Sequence, residues 1–172
     1  EDIPVLLRVG KEHLYVATPG EGMLHEDEAA ARIAHAVAGE NLALSAPKEG
    51  RINFLAQCQG LLRVDVPALN RVNAFPEAAL ATLHTMQEVR KDQAVGGTRI
   101  IPLFIEEEKI AALEKAVSAP VLSVLPFRPL RVGIVTTGSE VFHGRITDGF
   151  GPVLRKKFAA LGCTVAGQTI VN

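Results

Sequence analysis

The chain has 172 residues, 48% of them apolar, with 18 basic against 19 acidic side chains. That is enough apolar material for one good-sized domain or two small ones, and too little basic excess for a nucleic-acid duplex. Aromatic residues are scarce, with no Trp, one Tyr and seven Phe, so stacking platforms for single strands are not expected either.

The first segment predicts a short helix over residues 1–10. Asp2 can cap it, Pro4 suits the first turn, and Gly10 ends it. His13 to Val16 reads as a short strand, and Gly20 and Gly22 mark a turn. Residues 25–38 predict a clear helix. Glu26, Asp27 and Glu28 sit at its positive end, Ala29, Ile33, Ala36 and Val37 share a face, and Gly39 stops it.

From Asn41 to Leu103 the period shortens. Arg51–Cys58 and Leu61–Val66 read as strands joined in a hairpin at Gln59-Gly60. Pro67–Phe75 fits a short helix or an ordered loop. Leu80–Leu83 and Val95–Leu103 read as strands, with Arg90-Lys91-Asp92-Gln93 as a turn between them. Gly96 and Gly97 suggest a bulge or a close backbone approach. No GxGxxG or Walker pattern follows them. The region reads as a small, mostly β subdomain.

Glu106–Val117 predicts a helix with an acidic first turn and Ile110, Leu113 and Val117 on one face. Val121–Leu125 is a strand, and Pro126-Phe127-Arg128-Pro129 a stiff connector. A boundary is placed there, giving a mixed module over 1–126 and a second unit over 127–172.

Arg131–Thr136 predicts a strand buried on both faces, as in a parallel sheet. A helix follows from about Pro152, with Val153, Leu154, Phe158 and Leu161 as its apolar side and Gly162 at its end. Thr164–Val171 is the second strand. The expected unit is a right-handed βαβ crossover.

Ligands in open α/β sheets bind just past the carboxyl ends of parallel strands. Here that place carries Thr136-Thr137-Gly138-Ser139-Glu140 and then Gly144-x-Ile146-x-Asp148. Backbone N–H groups around Thr137 and Gly138 can face an anion, and the Thr hydroxyls add donors. The helix start near Gly151 offers a second anion site. Glu140 and Asp148 are hard oxygen ligands able to hold Mg²⁺ against a phosphate. His143 and Arg145 lie between them. Two plainer readings stand beside these: Glu140 as a solvated loop acid, and Asp148 as a cap for the following helix.

Thr137-Gly138-Ser139-Glu140-Val141, then Gly144-Arg145-Ile146-Thr147-Asp148, then a helix closing in Leu161-Gly162-Cys163, resembles the molybdenum-cofactor biosynthesis domain. That domain occurs in molybdopterin molybdenumtransferases, molybdopterin adenylyltransferases and related molybdopterin-binding proteins. The segment from Asp2 to Gly10 is similar to the lead-in of the molybdenumtransferases, which there joins the TGxE strand almost directly. Residues 17–125 would then be an inserted module, which resembles no family.

The resemblance implies a mixed α+β module followed by the first βαβ unit of a three-layer parallel-sheet molybdopterin-binding domain. It implies a ligand, molybdopterin or adenylylated molybdopterin, and a reaction, molybdate insertion with loss of the adenylyl group. By carry-over, Glu140 and Asp148 are the catalytic and Mg²⁺-binding candidates, and Thr136, Thr137, Gly138 and Ser139 the cofactor-binding ones. Enzymes of the family usually carry Asn two residues after the signature Asp, where this chain has Phe150. Two other classes stay open: a non-catalytic cofactor carrier or sensor, and a nucleotide pyrophosphatase or amidase sharing the domain. Homo-oligomers are common in the family.

Cys58 and Cys163 form no CxxC and read as reduced thiols of a cytoplasmic protein, Cys58 within the core. His25 and His35 lie ten apart, too far for a helical metal pair, and His13 and His84 stand alone. Arg155-Lys156-Lys157 reads as a solvated helix face with a phosphate-steering role as the alternative. No apolar run nears the ~18 residues that span a bilayer, and no leader pattern is visible. Both ends read as cut from a longer chain.

Overall fold

The computed structural model describes residues 3–10 and 18–172. The strand expected at His13–Val16 and the cap expected at Asp2 lie outside the described residues. Helix α1 spans Ile3–Arg8 and closes at Gly10, whose φ of 77° is left-handed. A turn through Gly20 and Gly22 leads into β1 (Met23–His25) and α2 (Glu26–Val37). His25 caps α2: its ring nitrogen accepts from the Asp27 N–H, and the Glu28 carboxylate reaches back to the His25 N–H. The face buried by α2 is Ala29, Ala30, Ile33, Ala34 and Val37; Ala36 is only partly buried. Gly39 is small where residues 120–123 pass beside it: a Cβ there would meet Leu122 O at 2.9 Å.

The β-rich region holds β2 (Leu42–Leu44), β3 (Arg51–Ala56), β4 (Gly60–Val64), α3 (Val66–Asn73), β5 (Ala78–Thr82), β6 (Glu88–Val89), β7 (Ala94–Ile100) and β8 (Phe104–Glu106). Helix α4 (Glu107–Ala116) and β9 (Leu122–Pro126) complete it. Strand β3 alternates as a half-buried strand should, with Ile52, Phe54 and Ala56 inward. Helix α3 resolves the helix-or-loop alternative: Asp65 caps it by accepting from the Ala68 N–H at 3.0 Å.

Two antiparallel sheets carry most of this region, in the orders β2-β3-β7-β5 and β6-β4-β9. The hairpin expected at Gln59-Gly60 does not form. Strand β3 pairs with β2 and β7, whereas β4 pairs with β6 and β9. Gly60 is the step from one sheet to the other. It lies against the β9 main chain so closely that a Cβ would overlap Leu125 O. Gly96 meets both expectations for its glycine pair: the β3–β7 register shifts opposite it, and a Cβ there would sit 2.7 Å from Ala81 O. One contiguous core joins α2, α3 and α4 to both sheets, with Phe54, Ile33, Leu62 and Ile110 among its largest members. Cys58 packs partly buried against it. An Arg32 fork also ties the helices, donating to Glu114 at 2.9 and 2.6 Å and to Glu107 at 2.8 Å.

Beyond Pro126 come β10 (Arg131–Thr137), α5 (Ser139–Phe142), α6 (Phe150–Ala160) and β11 (Thr164–Val171). Strands β10 and β11 are parallel, in register from Arg131↔Thr164 to Thr137↔Val171 with one irregularity after Val132. Gly162, at φ 75°, ends α6 and lets the Cys163 N–H return to Phe158 O. Burial on both faces of β10 is not found. Ile134 and Thr136 are buried, but Val135 between them is 67% exposed. The contacts of α6 cover one face of a two-stranded sheet, and among the described residues nothing covers the other.

The described chain is thus mixed α and β, with several antiparallel sheets and one parallel pair. Among the described residues no helix is long and apolar enough to cross a membrane.

Candidate functional site

At the carboxyl end of β10 the chain must turn sharply, and Gly138 makes that possible with φ 151°, a value side chains disfavour. Its N–H donates to Val171 O at 3.2 Å, pinning the turn to the end of β11. The single helical turn of α5 follows. Its first amides have no acceptor within the helix. Gly144, at φ 71°, closes it, and the N–H groups of Arg145 and Ile146 return to Glu140 O at 2.8 and 3.3 Å. Thr137, Ser139 and Glu140 are exposed on this turn, and Thr136 is buried beneath it. Ser139 holds His143, whose Nδ1 lies 2.8 Å from Ser139 O and 3.4 Å from its Oγ.

Asp148 serves the start of α6. Its Oδ1 accepts from the N–H groups of Phe150 and Gly151 at 2.9 and 3.2 Å, and its Oδ2 accepts again from Gly151 at 3.1 Å. This is the capping geometry weighed above. The Gln168 amide donates to the same Oδ2 and, at 3.0 Å, to Thr136 Oγ1. Gln168 therefore links the Asp of the second signature to the strand that carries the first. Arg155 approaches from α6, its guanidinium 3.4 Å from Gln168 Oε1. Burial raises the Asp148 carboxyl, but the bonds from Gly151, Gln168 and Phe150, with the charge of Arg155, outweigh it. The carboxyl is held below the usual aspartate range and stays ionised.

Gln168, the one polar amide in Thr164–Val171, escaped the sequence reading, and Arg155 was weighed only within Arg155-Lys156-Lys157, as a solvated face or a phosphate-steering one. The signal for Gln168 was its type, an amide in a strand otherwise made of Thr, Val, Ala, Gly and Ile. Its partners, Asp148 and Thr136, lie 20 and 32 residues away and cannot be read from spacing.

The carboxylates Glu140 and Asp148 do not make a ready cation cage. Both oxygens of Asp148 already accept N–H donors, and the described residues contain no group of three metal-ligating side chains. Glu140 has no hydrogen-bonded or ion-paired side-chain partner among the described residues, so its oxygens are free for a ligand. What the site offers around the strand end is the first amides of α5, the exposed hydroxyls of Thr137 and Ser139, and one free acid, with Arg155 reaching Gln168 from α6. Such a set suits an anion carrying further donors of its own.

No family model, curated protein or solved structure matches the chain.

Proposed function

We propose that the chain binds molybdopterin, or adenylylated molybdopterin, at the carboxyl end of β10 and takes part in assembly or handling of the molybdenum cofactor in the cytoplasm. One observation carries the reading: Gln168 joins Asp148, which ends the second signature, to Thr136, the residue just before the first, so the two stretches that resemble the family are tied together at the end of β10. In this reading β10, α6 and β11 are the first βαβ unit of a three-layer parallel-sheet domain. The Thr137–Ser139 turn receives the phosphate. Glu140 accepts from the donors of the pterin, and Asp148 orders the loop by holding the start of α6. Magnesium and molybdate would enter only as companions of the ligand.

A non-catalytic carrier or sensor is the second reading. It is favoured by Phe150, which is 70% exposed where the family's enzymes have Asn. An apolar side chain where those enzymes have a polar one suits binding without turnover.

The test is titration of the chain with molybdopterin, followed by calorimetry, for wild type and Glu140→Ala. Saturable binding weakened about tenfold in the variant, the scale of one charged hydrogen bond, is expected. Equal binding would remove Glu140 from the site, and absence of binding would remove the reading.

A further inference from the structure

We propose that the solvent face of the sheet β2-β3-β7-β5 binds a phosphate-bearing small molecule between Arg51 and Arg99. These two arginines are direct cross-strand partners on β3 and β7, and both are exposed. Like charges placed opposite one another weaken an antiparallel pair. Nothing nearby cancels them: among the described residues neither has a carboxylate within ion-pair distance. Lys48 adds a third cation, since it bridges to Arg51 through a pair of 3.0 Å main-chain bonds. The three line one groove of about 770 Å³. Glu49 also lines it, yet lies within ion-pair distance of none of them, so the groove keeps a positive excess.

The Arg51 guanidinium is oriented. Its Nε donates to Asn53 Oδ1 at 3.1 Å on the same strand. Gly97 on β7 makes room for that pair, because a Cβ there would come to 3.1 Å from Asn53 Oδ1 and 3.7 Å from Arg51 Nε. With Nε committed, both terminal nitrogens of Arg51 are left without a partner among the described residues, as is the whole Arg99 guanidinium. A fork held in place with its two parallel donors free matches a phosphate's oxygens. A second arginine beside it completes a clamp, and a bound dianion would turn the repulsion of the pair into attraction. The shallow floor beyond, where Gly97 faces the small side chains of β5, gives room for the body of the molecule.

Inorganic pyrophosphate is the probe. Titrated at low ionic strength into the isotope-labelled chain, it is expected to shift the amide resonances of Arg51, Asn53, Gly97 and Arg99 saturably. Arg51→Gln and Arg99→Gln should each weaken binding about tenfold, and Arg63→Gln, on the other sheet, should not. A second readout separates a ligand clamp from a structural pair. Without anion, Arg99→Gln should melt no lower than wild type, and pyrophosphate should raise the melting temperature of wild type and Arg63→Gln by more than that of Arg51→Gln or Arg99→Gln. No saturable shift up to the order of 10 mM would overturn the proposal, as would binding that both variants retain. Shifts produced by an acidic peptide but not by pyrophosphate would also overturn it, assigning the face to a protein.

Discussion

Replacing Gly151 with alanine sets helix propensity against the candidate site. Gly151 is buried in the first turn of α6, and a Cβ there would collide with Asp148 Oδ2 and with both amide atoms of Gln168. Removing a glycine where the backbone is already helical stabilises by about 0.4–1 kcal/mol through the unfolded chain. The obstacles are side-chain ends that can move, but moving them gives up the Gln168–Asp148 and Gly151–Asp148 hydrogen bonds, together about 1–3 kcal/mol. Gly149, two residues earlier, has a helical φ of −85° and nothing within 4 Å of its added Cβ, so Gly149→Ala collects the gain without the cost. The two variants should therefore differ by about 1–3 kcal/mol, which is about 5- to 150-fold in hydrogen-exchange protection of the α6 amides. Amide exchange of the two variants, read along α6, makes the comparison. Equal protection would show that Asp148 and Gln168 do not meet over Gly151, and the bridge between the two signatures would be lost with it.

Gly60→Ala should cost at least the upper end of about 1–3 kcal/mol in urea unfolding, because the obstacle is the Leu125 main chain rather than a movable side-chain end. A near-neutral result would restore the hairpin. Glu114 is held below the usual carboxylate range, first by its bond from Arg32, with burial opposing. Its contribution is thus complete above the unfolded glutamate value of about 4.3 and is lost as pH falls through the lower folded value. Glu114→Gln should cost about 1 kcal/mol at neutral pH, and the difference from wild type should vanish on acidification; a difference independent of pH would contradict the ion pair.

Local signals were legible where one residue decides one feature. Gly10 and Gly162 end helices, Gly22 turns the chain, and the 3.6-residue period marks α2 and α4; it also locates α6, although Val153 and Leu161 of its expected apolar side are exposed and Leu154 and Phe158 only partly buried. Strand partners were not legible. Gln59-Gly60 has the composition of a turn, yet Gly60 is small because β9 crosses it, and that contact joins residues 65 apart in sequence. The apolar run Val132–Val135 has the look of a doubly covered strand, but how many layers cover it depends on elements other than itself. At the site, Thr136, Gly138 and Asp148 were singled out by type and spacing. Gln168 and Arg155 became visible only once β11 and α6 were laid against β10.

The most direct test of the central claim is hydrogen exchange of the chain with and without molybdopterin. Slowed exchange confined to residues 136–151 and the neighbourhood of Gln168 is expected, because the ligand's phosphate would engage the first amides of α5 and hold the loop that Asp148 caps. Unchanged exchange at saturating molybdopterin, or protection confined to residues 18–125, would contradict a pterin site at the end of β10.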